Sequence, residues 1–320
     1  MVRRLQKSIF GLTFVIFATC TCHGAAAAEP KKPAPTIWFK SDSRIQALAW
    51  SPDGKWLVVA DKQGLSSRSS QDAGPRWERE FVDIRELAYA PKGKLIAASS
   101  RESIALVDAE TGESITTLEG HETVVHGLAW SADSQWLVSV GGQDGRVLLW
   151  DMETHQPRLL HDDERWAGSV TMVGDKAMAA GFLWVRSGDS TMPETPGVRV
   201  WSIPDGEPMP APDAPSQVTE VVGSLTQPVL ATSAVTYMNL REPKGVALWQ
   251  LGETTPLAWL DSKRIGELTW SRDGELLARG DNKLLTVWRI TATGGDIVAT
   301  AENRAVHLVF GVDHQLAFAR

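Results

Sequence analysis

Cysteine is scarce in this chain, and its placement is uneven. The 320 residues contain two cysteines, Cys20 and Cys22, and none beyond them. The rest of the chain therefore folds without a disulfide. His23 follows Cys22, but haem attachment requires two residues between the cysteines and here there is one. This spacing excludes a haem-binding pair.

The sequence motifs of catalysis and metal binding are also absent. The six histidines after the first 28 residues lack the His-x-x-x-His or carboxylate-flanked spacing of metal sites. They are His121, His126, His155, His161, His307 and His314. No Gly-x-Ser-x-Gly elbow or phosphate-binding glycine loop occurs. We therefore predict no catalytic residue, no metal and no cofactor.

The first 28 residues have the composition of an export signal. A basic start precedes an apolar run over 9–18, and small residues end at Ala28. Because a signal peptidase recognises small residues at such a place, we predict a signal peptide over 1–28, cleaved before Glu29. The alternative, an uncleaved membrane anchor, needs about 20 apolar residues, roughly twice this run. We expect a periplasmic or secreted protein.

Removal of that segment would leave an acidic protein. The chain has a formal net charge of −7, and loss of the three basic residues of 1–28 takes it to −10. Duplex nucleic acid is excluded as the partner, because phosphate binding requires clustered lysine and arginine. Residues 29–35 contain three prolines and are predicted to form a short extended lead-in. We expect no membrane contact after the signal is removed.

A repeat of about 40 residues organises the rest of the chain. A short apolar segment that runs into a tight turn and a second apolar segment occurs seven times, with successive starts 39, 41, 42, 51, 47 and 40 residues apart. The starts are Ile45, Ile84, Val125, Ala167, Val218, Ile265 and Ala305. This period is typical of blade-type β repeats and is longer than that of the shorter helical solenoids. Because such repeats stack into one continuous core, we predict a single domain over 36–320.

Each repeat contains the pattern of a β-hairpin. The clearest copies, 45–57, 125–137 and 265–277, align over thirteen positions and have Asp-Gly or Asp-Ser in the turn. These residues tolerate the positive φ that tight hairpin turns require. In four repeats a third strand follows and ends at a tryptophan. These tryptophans are Trp150, Trp201, Trp249 and Trp288.

The third repeat resembles the WD40-repeat β-propellers. It has Gly120-His121 before its first strand, Asp144-Gly145 in its second turn and Trp150-Asp151 at the end of its third strand. The resemblance implies an all-β, seven-bladed WD40-like β-propeller. In that family a histidine, a strand hydroxyl, a turn aspartate and a tryptophan form a hydrogen-bonded chain that braces the blade. The residues implied for these roles are His121, Ser139, Asp144 and Trp150.

The last repeat contains two predicted strands, 306–310 and 315–319. Residues 36–39 stand just before the first inner strand, where the repeat phase requires an outermost strand. Without an added strand, the edge of the last blade would be left unpaired. We therefore predict that the last blade is three-stranded and is closed by the N-terminal strand.

The fourth and fifth repeats are the longest and contain insertions over 182–196 and 235–244. In the WD40 family the loops that would hold them share a face that commonly binds partners. Their aromatic, methionine and arginine residues are of the types enriched at the centres of interfaces. The partner-binding patch that we predict consists of Trp184, Arg186, Tyr237, Met238 and Arg241. The alternative is that Trp184 and Tyr237 pack onto their own blades.

These features predict an exported, monomeric, non-catalytic scaffold that binds a protein or peptide partner. The competing class is a propeller enzyme of the lactonase or quinone-dependent dehydrogenase type, with its site at the mouth of the central channel. Such a site needs acidic or histidine residues that converge near the starts of the inner strands, where the sequence has dispersed candidates. These are Gln46, Glu86, His126, Glu220, Glu267 and His307. A structural part of an envelope assembly is the third hypothesis.

Overall fold

The structure is a computed structural model, and it describes most of the chain. The described residues are 13–19, 36–41, 43–162, 166–183, 197–214, 218–234, 245–260, 266–302 and 305–319. They contain 28 β-strands in seven four-stranded antiparallel sheets, and a short 3-10 turn over Val312–His314. The seven-bladed all-β fold predicted from the sequence is confirmed. None of the helical structure in these ranges is long and apolar enough to span a membrane.

We number the sheets as blades 1 to 7, in the order of the repeats. Blades 1 and 2 contain β3 (Ala47–Trp50), β4 (Trp56–Asp61), β5 (Gly64–Ser69), β6 (Pro75–Arg79), β7 (Ile84–Tyr89), β8 (Leu95–Ser100), β9 (Ser103–Asp108) and β10 (Ser114–Glu119). Blades 3 and 4 contain β11 (Val125–Trp130), β12 (Trp136–Gly141), β13 (Val147–Asp151), β14 (Pro157–His161), β15 (Trp166–Val173), β16 (Ala177–Leu183), β17 (Val198–Ser202) and β18 (Pro208–Met209).

Blades 5 and 6 contain β19 (Val218–Gly223), β20 (Val229–Ala234), β21 (Val246–Gln250), β22 (Pro256–Leu260), β23 (Glu267–Trp270), β24 (Leu276–Gly280), β25 (Leu285–Thr291) and β26 (Gly294–Ala301). Blade 7 contains β27 (Val306–Phe310), β28 (Gln315–Ala319), β1 (Thr13–Thr19) and β2 (Thr36–Ser41). The first strand of each blade contacts the first strand of the next, and β27 contacts β3, so these innermost strands surround a central channel.

The prediction of a three-stranded last blade is wrong. Blade 7 has four strands in the order β27, β28, β1 and β2. Residues 36–41 do lie in this sheet, but as its fourth strand, with Thr13–Thr19 inserted as the third. The physical reason is that the edge of β28 offers unpaired backbone groups, and the sequence TFVIFAT is rich in the β-branched and aromatic residues that form strands. The sequence-based prediction had assigned that segment to the export signal.

The hydrophobic core is divided into seven clusters, and each cluster lies between two neighbouring blades. Blades 1 and 2 share one cluster, for example, and blades 7 and 1 share another that joins Ala317 to Trp50 and Leu57. Alternate residues of a middle strand enter different clusters: Leu57 faces blade 7, whereas Val58 faces blade 2. Both faces of each blade are therefore buried, which explains why the middle strands are near-continuous apolar runs.

The hairpin turns repeat the same hydrogen bonds. In the turn of blade 1, the Ser51 hydroxyl donates to Oδ1 of Asp53 over 2.6 Å and accepts the Trp56 amide over 2.9 Å. The serine and aspartate of the corresponding turns in blades 3 and 6 make the same contact. Gly54 and Ser134 have φ of +67° and +59°. The positive φ predicted for these turns is confirmed.

The structure brings the four blade-bracing residues of blade 3 together. Nε1 of Trp150 donates to the Ser139 hydroxyl over 2.8 Å, and Nε2 of His121 lies 2.7 Å from the same oxygen. Nδ1 of His121 lies 3.5 Å from Oδ2 of Asp144. Burial raises the pKa of Asp144, but its contact with His121 and the hydrogen bonds from backbone amides outweigh this and hold that pKa well below its usual range. Blade 5 keeps one of these contacts, from Trp249 to the Thr232 hydroxyl.

We expect Ser139→Ala to lower the free energy of unfolding by about 1–3 kcal/mol, because the buried Trp150 Nε1 and His121 Nε2 would lose their shared partner. Chemical denaturation measures this change. Ser114→Ala makes the same chemical change at an exposed position of β10 and should cost little. Equal effects of the two substitutions would contradict the bracing role.

Candidate functional site

The innermost strands surround a cavity of about 320 Å³ in the central channel. Residues of all seven blades line it, and five of them are titratable. These five, which we call the mouth cluster, are Glu86, His126, Glu220, Glu267 and His307. They were expected to be dispersed, and that expectation is wrong. The sequence signal was their repeat phase, because each stands one or two residues after the start of its repeat.

β-bulges turn several of these side chains towards the channel. The register of the innermost strand shifts between Ile84 and Leu87 in blade 2, and between Val125 and Gly127 in blade 3. Glu86 and His126 lie inside these two shifts. The innermost strands of blades 4, 5 and 7 contain bulges near the same level. A bulge inserts a residue, bends the strand and re-aims a side chain, so the bulges build the mouth cluster.

The chain enters both insertions at the end of the fold where the mouth cluster lies. Trp166, at the start of β15, pairs with Leu183, from which the chain leaves for the blade 4 insertion. Val218, at the start of β19, pairs with Ala234, where the blade 5 insertion begins. Both insertions therefore leave the fold where the innermost strands begin. The predicted patch residues Trp184, Arg186, Tyr237, Met238 and Arg241 lie outside the described residues.

Burial raises the pKa of two of the glutamates. Burial, with a smaller contribution from the charge of Glu267, raises the pKa of Glu86 to about 8. Burial, together with Glu267 and Glu86, raises the pKa of Glu220 well above its usual value. At neutral pH the Glu86 carboxyl group can therefore donate a hydrogen bond, and it contributes little negative charge to the channel.

Glu267 has a different role, because it fixes the backbone of blade 7. Its Oε2 accepts the Leu308 amide over 3.2 Å, and its Oε1 lies 3.5 Å from Nδ1 of His307. His307 has a φ of +53°, a conformation that is strained for a residue with a side chain. Glu267 thus joins blades 6 and 7 at the channel and stabilises the bulge of β27.

His126 is held in its neutral form. Burial lowers its pKa, and the charge of Arg85 lowers it further. The imidazole ring lies 4.9 Å from the Trp166 ring, centre to centre. Burial and the charge of Arg85 therefore both favour the neutral imidazole.

The mouth cluster is not a preformed metal centre. Within the part of the chain that the structure describes, one group of three possible ligands has its ligand atoms within 4.8 Å of one another, and it consists of Asp273, Glu275 and His314. That group lies in the turns that follow β23 and β27, at the opposite end of the innermost strands from the mouth cluster. Gln46, the remaining channel candidate, does not line the cavity. Its backbone N–H donates to the Ala60 carbonyl over 2.8 Å.

A ring of four-stranded antiparallel sheets around a channel defines a β-propeller. The family model of the WD domain, G-beta repeat, matches residues 35–65 and 112–151. The chain therefore contains WD40 repeats, and WD-repeat proteins are among its relatives.

Similar proteins span bacteria, plants and animals. The chain is 34% identical over 110 residues to a WD repeat-containing protein, sll1491, of Synechocystis sp., covering 33% of this chain and 32% of that protein. It is 27% identical to Protein FIZZY-RELATED 1 of Arabidopsis thaliana, in a match that covers 78% of this chain and 51% of that protein. It is 30% identical to THO complex subunit 6 of Homo sapiens, in a match that covers 58% of this chain and 60% of that protein. The chain therefore spans less than two thirds of each of these relatives.

Among solved structures, the chain is similar to Kuenenia stuttgartiensis hydrazine synthase, with a TM-score of 0.59 and 14% identity. The match covers 77% of this chain and 76% of that chain. At this identity the likeness concerns the fold alone.

The raised pKa of Glu86 predicts a pH-dependent stability. Between the ordinary pKa of glutamate, near 4.5, and the folded value of about 8, the unfolded chain binds fewer protons than the folded chain. Stability therefore falls as pH rises through this window, and the loss is complete above it. Glu86→Gln cannot ionise, so it should melt higher than the unsubstituted protein at pH 9 and not at pH 4.

Thermal denaturation from pH 4 to 9 measures this difference, with about 2–4 °C expected for each kcal/mol. Glu119→Gln, at an exposed position of β10, is the matched control. Its melting temperature should change with pH in the same way as that of the unsubstituted protein. A gap between the Glu86→Gln and unsubstituted melting curves that does not grow with pH would contradict a buried, protonated Glu86.

Proposed function

We propose that the protein is an exported, non-catalytic scaffold that binds a protein or peptide partner on the face containing the channel mouth. WD40-repeat homologues suggest a role in protein–protein interaction, and one relative is by name a subunit of the THO complex. The single observation that carries the choice of face is geometric. The chain enters both insertions at the end of the fold where the mouth cluster lies.

The charges of this face suit an acidic or peptide-like partner. The insertions supply Arg186 and Arg241 beside Trp184 and Tyr237, which combine directional donors with apolar area. The raised pKa values of Glu86 and Glu220 reduce the negative charge that these two glutamates place at the channel mouth. The acidic remainder of the surface would repel such a partner elsewhere.

Substitution of the two insertion aromatics tests the docking face. We expect Trp184→Ala and Tyr237→Ala each to weaken capture of the partner by about tenfold or more, the size of a hot-spot contact, with little change in melting temperature. The partner is first identified by affinity capture from the exported fraction and then titrated against each variant. Trp259→Ala, at a tryptophan that is 40% exposed on β22, is the control. Variants that melt early yet bind normally would place the two aromatic rings in the core and contradict the patch.

Export is the second part of the proposal, and it rests on the order of basic, apolar and small residues in 1–28. We expect protein produced with its own leader to begin at Glu29 and to be recovered outside the cytoplasm. Intact-mass measurement of the periplasmic, secreted and membrane fractions decides this. A membrane-bound species that retains residues 1–28 would contradict it.

One observation favours a second candidate, an enzyme with its site at the channel mouth. The mouth cluster brings three carboxyl groups and two imidazoles to one cavity, and a carboxyl group protonated at neutral pH can act as a general acid. Metal analysis of the purified protein, followed by activity assays with lactones, separates this candidate from the scaffold. Bound stoichiometric metal that is lost in Glu220→Gln would favour the enzyme.

A further inference from the structure

The segment Thr13–Thr19 combines two properties that conflict. In the sequence it belongs to the predicted signal peptide, whereas in the structure it is β1, an inner member of the blade 7 sheet. β1 pairs with β28, with Val15 opposite Ala319, and on its other side with β2. Cleavage before Glu29 would therefore remove a strand from between two others.

β2 cannot take the place of β1 by a simple sideways shift. β1 is antiparallel to both neighbours, so β2 and β28 run in the same direction, and β2 would have to reverse to form an antiparallel pair with β28. β2 is also held against blade 1. The Ser41 hydroxyl donates to Oδ2 of Asp61 over 2.6 Å, and the Arg68 guanidinium lies 4.1 Å from the centre of the Phe39 ring. Loss of β1 leaves a slot of about 10 Å between β28 and β2.

The third position of a blade is deeply buried. The third strands β9, β13 and β21 each contain four consecutive buried residues, whereas the fourth strands β6, β10 and β14 are mostly exposed. In β28, next to the slot, Leu316 and Phe318 pack towards blade 6, and Ala317 and Ala319 pack towards blade 1. An empty third position would expose apolar surface on both sides, together with the backbone groups of β28.

We propose that removal of the leader opens a binding slot in blade 7 that accepts an extended apolar segment of the partner protein as the third strand. The slot rests on the proposed export, and it adds a defined recognition chemistry. The backbone of β28 supplies antiparallel hydrogen bonds, and the flanking blades require apolar side chains on both faces of the incoming strand. A stretch of about five to seven β-branched and aromatic residues without proline or charge fits. The sequence of β1, TFVIFAT, is such a stretch, and in the uncleaved chain it occupies the slot.

A cut made after folding tests the slot directly. A site-specific protease sequence is placed between Ala28 and Glu29 of the full chain, which is folded, cut and freed of the leader fragment. The probe is a fluorescent peptide with the sequence of Thr13–Thr19, flanked by lysines. We expect no binding before the cut and one peptide per chain after it. The amides of β28 that face β1 should exchange at least about tenfold faster after the cut and regain protection with the peptide, whereas those that face β27 should stay protected. A peptide with Val15→Pro and Phe17→Pro should bind at least about tenfold more weakly.

Three results would overturn the proposal. Protection, in the cut chain without peptide, of the β28 amides that faced β1 would mean that its own residues close the blade. Self-association in sedimentation velocity would mean that a second copy fills the slot. Loss of cooperative melting after the cut would mean that β1 is a permanent part of the fold. Because the cut is made in the purified protein, each result is independent of whether cells export and process the chain, which intact mass decides separately.

Discussion

The burial of both faces of every blade is the constraint on which the rest of the structure depends. A four-stranded sheet with two apolar faces is not stable alone, so each blade requires a neighbour on each side. Tryptophans add specific hydrogen bonds between neighbouring blades to this apolar packing. Nε1 of Trp130 donates to the Ala88 carbonyl of blade 2, and Nε1 of Trp270 donates to the Val222 carbonyl of blade 5. These bonds fix the innermost strands relative to one another and so determine the geometry of the channel.

That geometry converts distant residues into one electrostatic site. Glu86 and Glu267 stand more than 180 residues apart in the sequence, yet they line the same cavity, and the charge of Glu267 raises the pKa of Glu86. Water is partly excluded there, and burial raises the pKa of Glu86 and Glu220. Glu267 instead contacts His307 and stabilises the backbone of blade 7. The channel mouth that results is lined by polar side chains, and the pKa values of two of its glutamates are raised.

Features with a local cause were predictable from the sequence, and features with a non-local cause were not. The Asp-Gly turn after Ser51 and the strand that contains Trp150 are each determined by neighbouring residues, and both were predicted. The third strand of blade 7 was missed because the run that ends near Ala18 satisfies two patterns, that of a leader and that of a strand, and its pairing partner β28 lies some 300 residues away in the sequence. The members of the mouth cluster were named as candidates from the sequence, but their convergence was not predicted, because they meet only when the ring assembles.

The most direct measurement is a pH titration by NMR of protein labelled with 13C at the glutamate carboxyl carbons, with Glu86→Gln used to assign the key signal. The buried mouth predicts one resonance with a midpoint near pH 8 that is absent from the Glu86→Gln spectrum. A second resonance, from Glu220, should also titrate well above the others. If every glutamate signal titrates between about pH 4 and 5, as in solvent, the carboxyl groups are not gathered in a buried channel mouth.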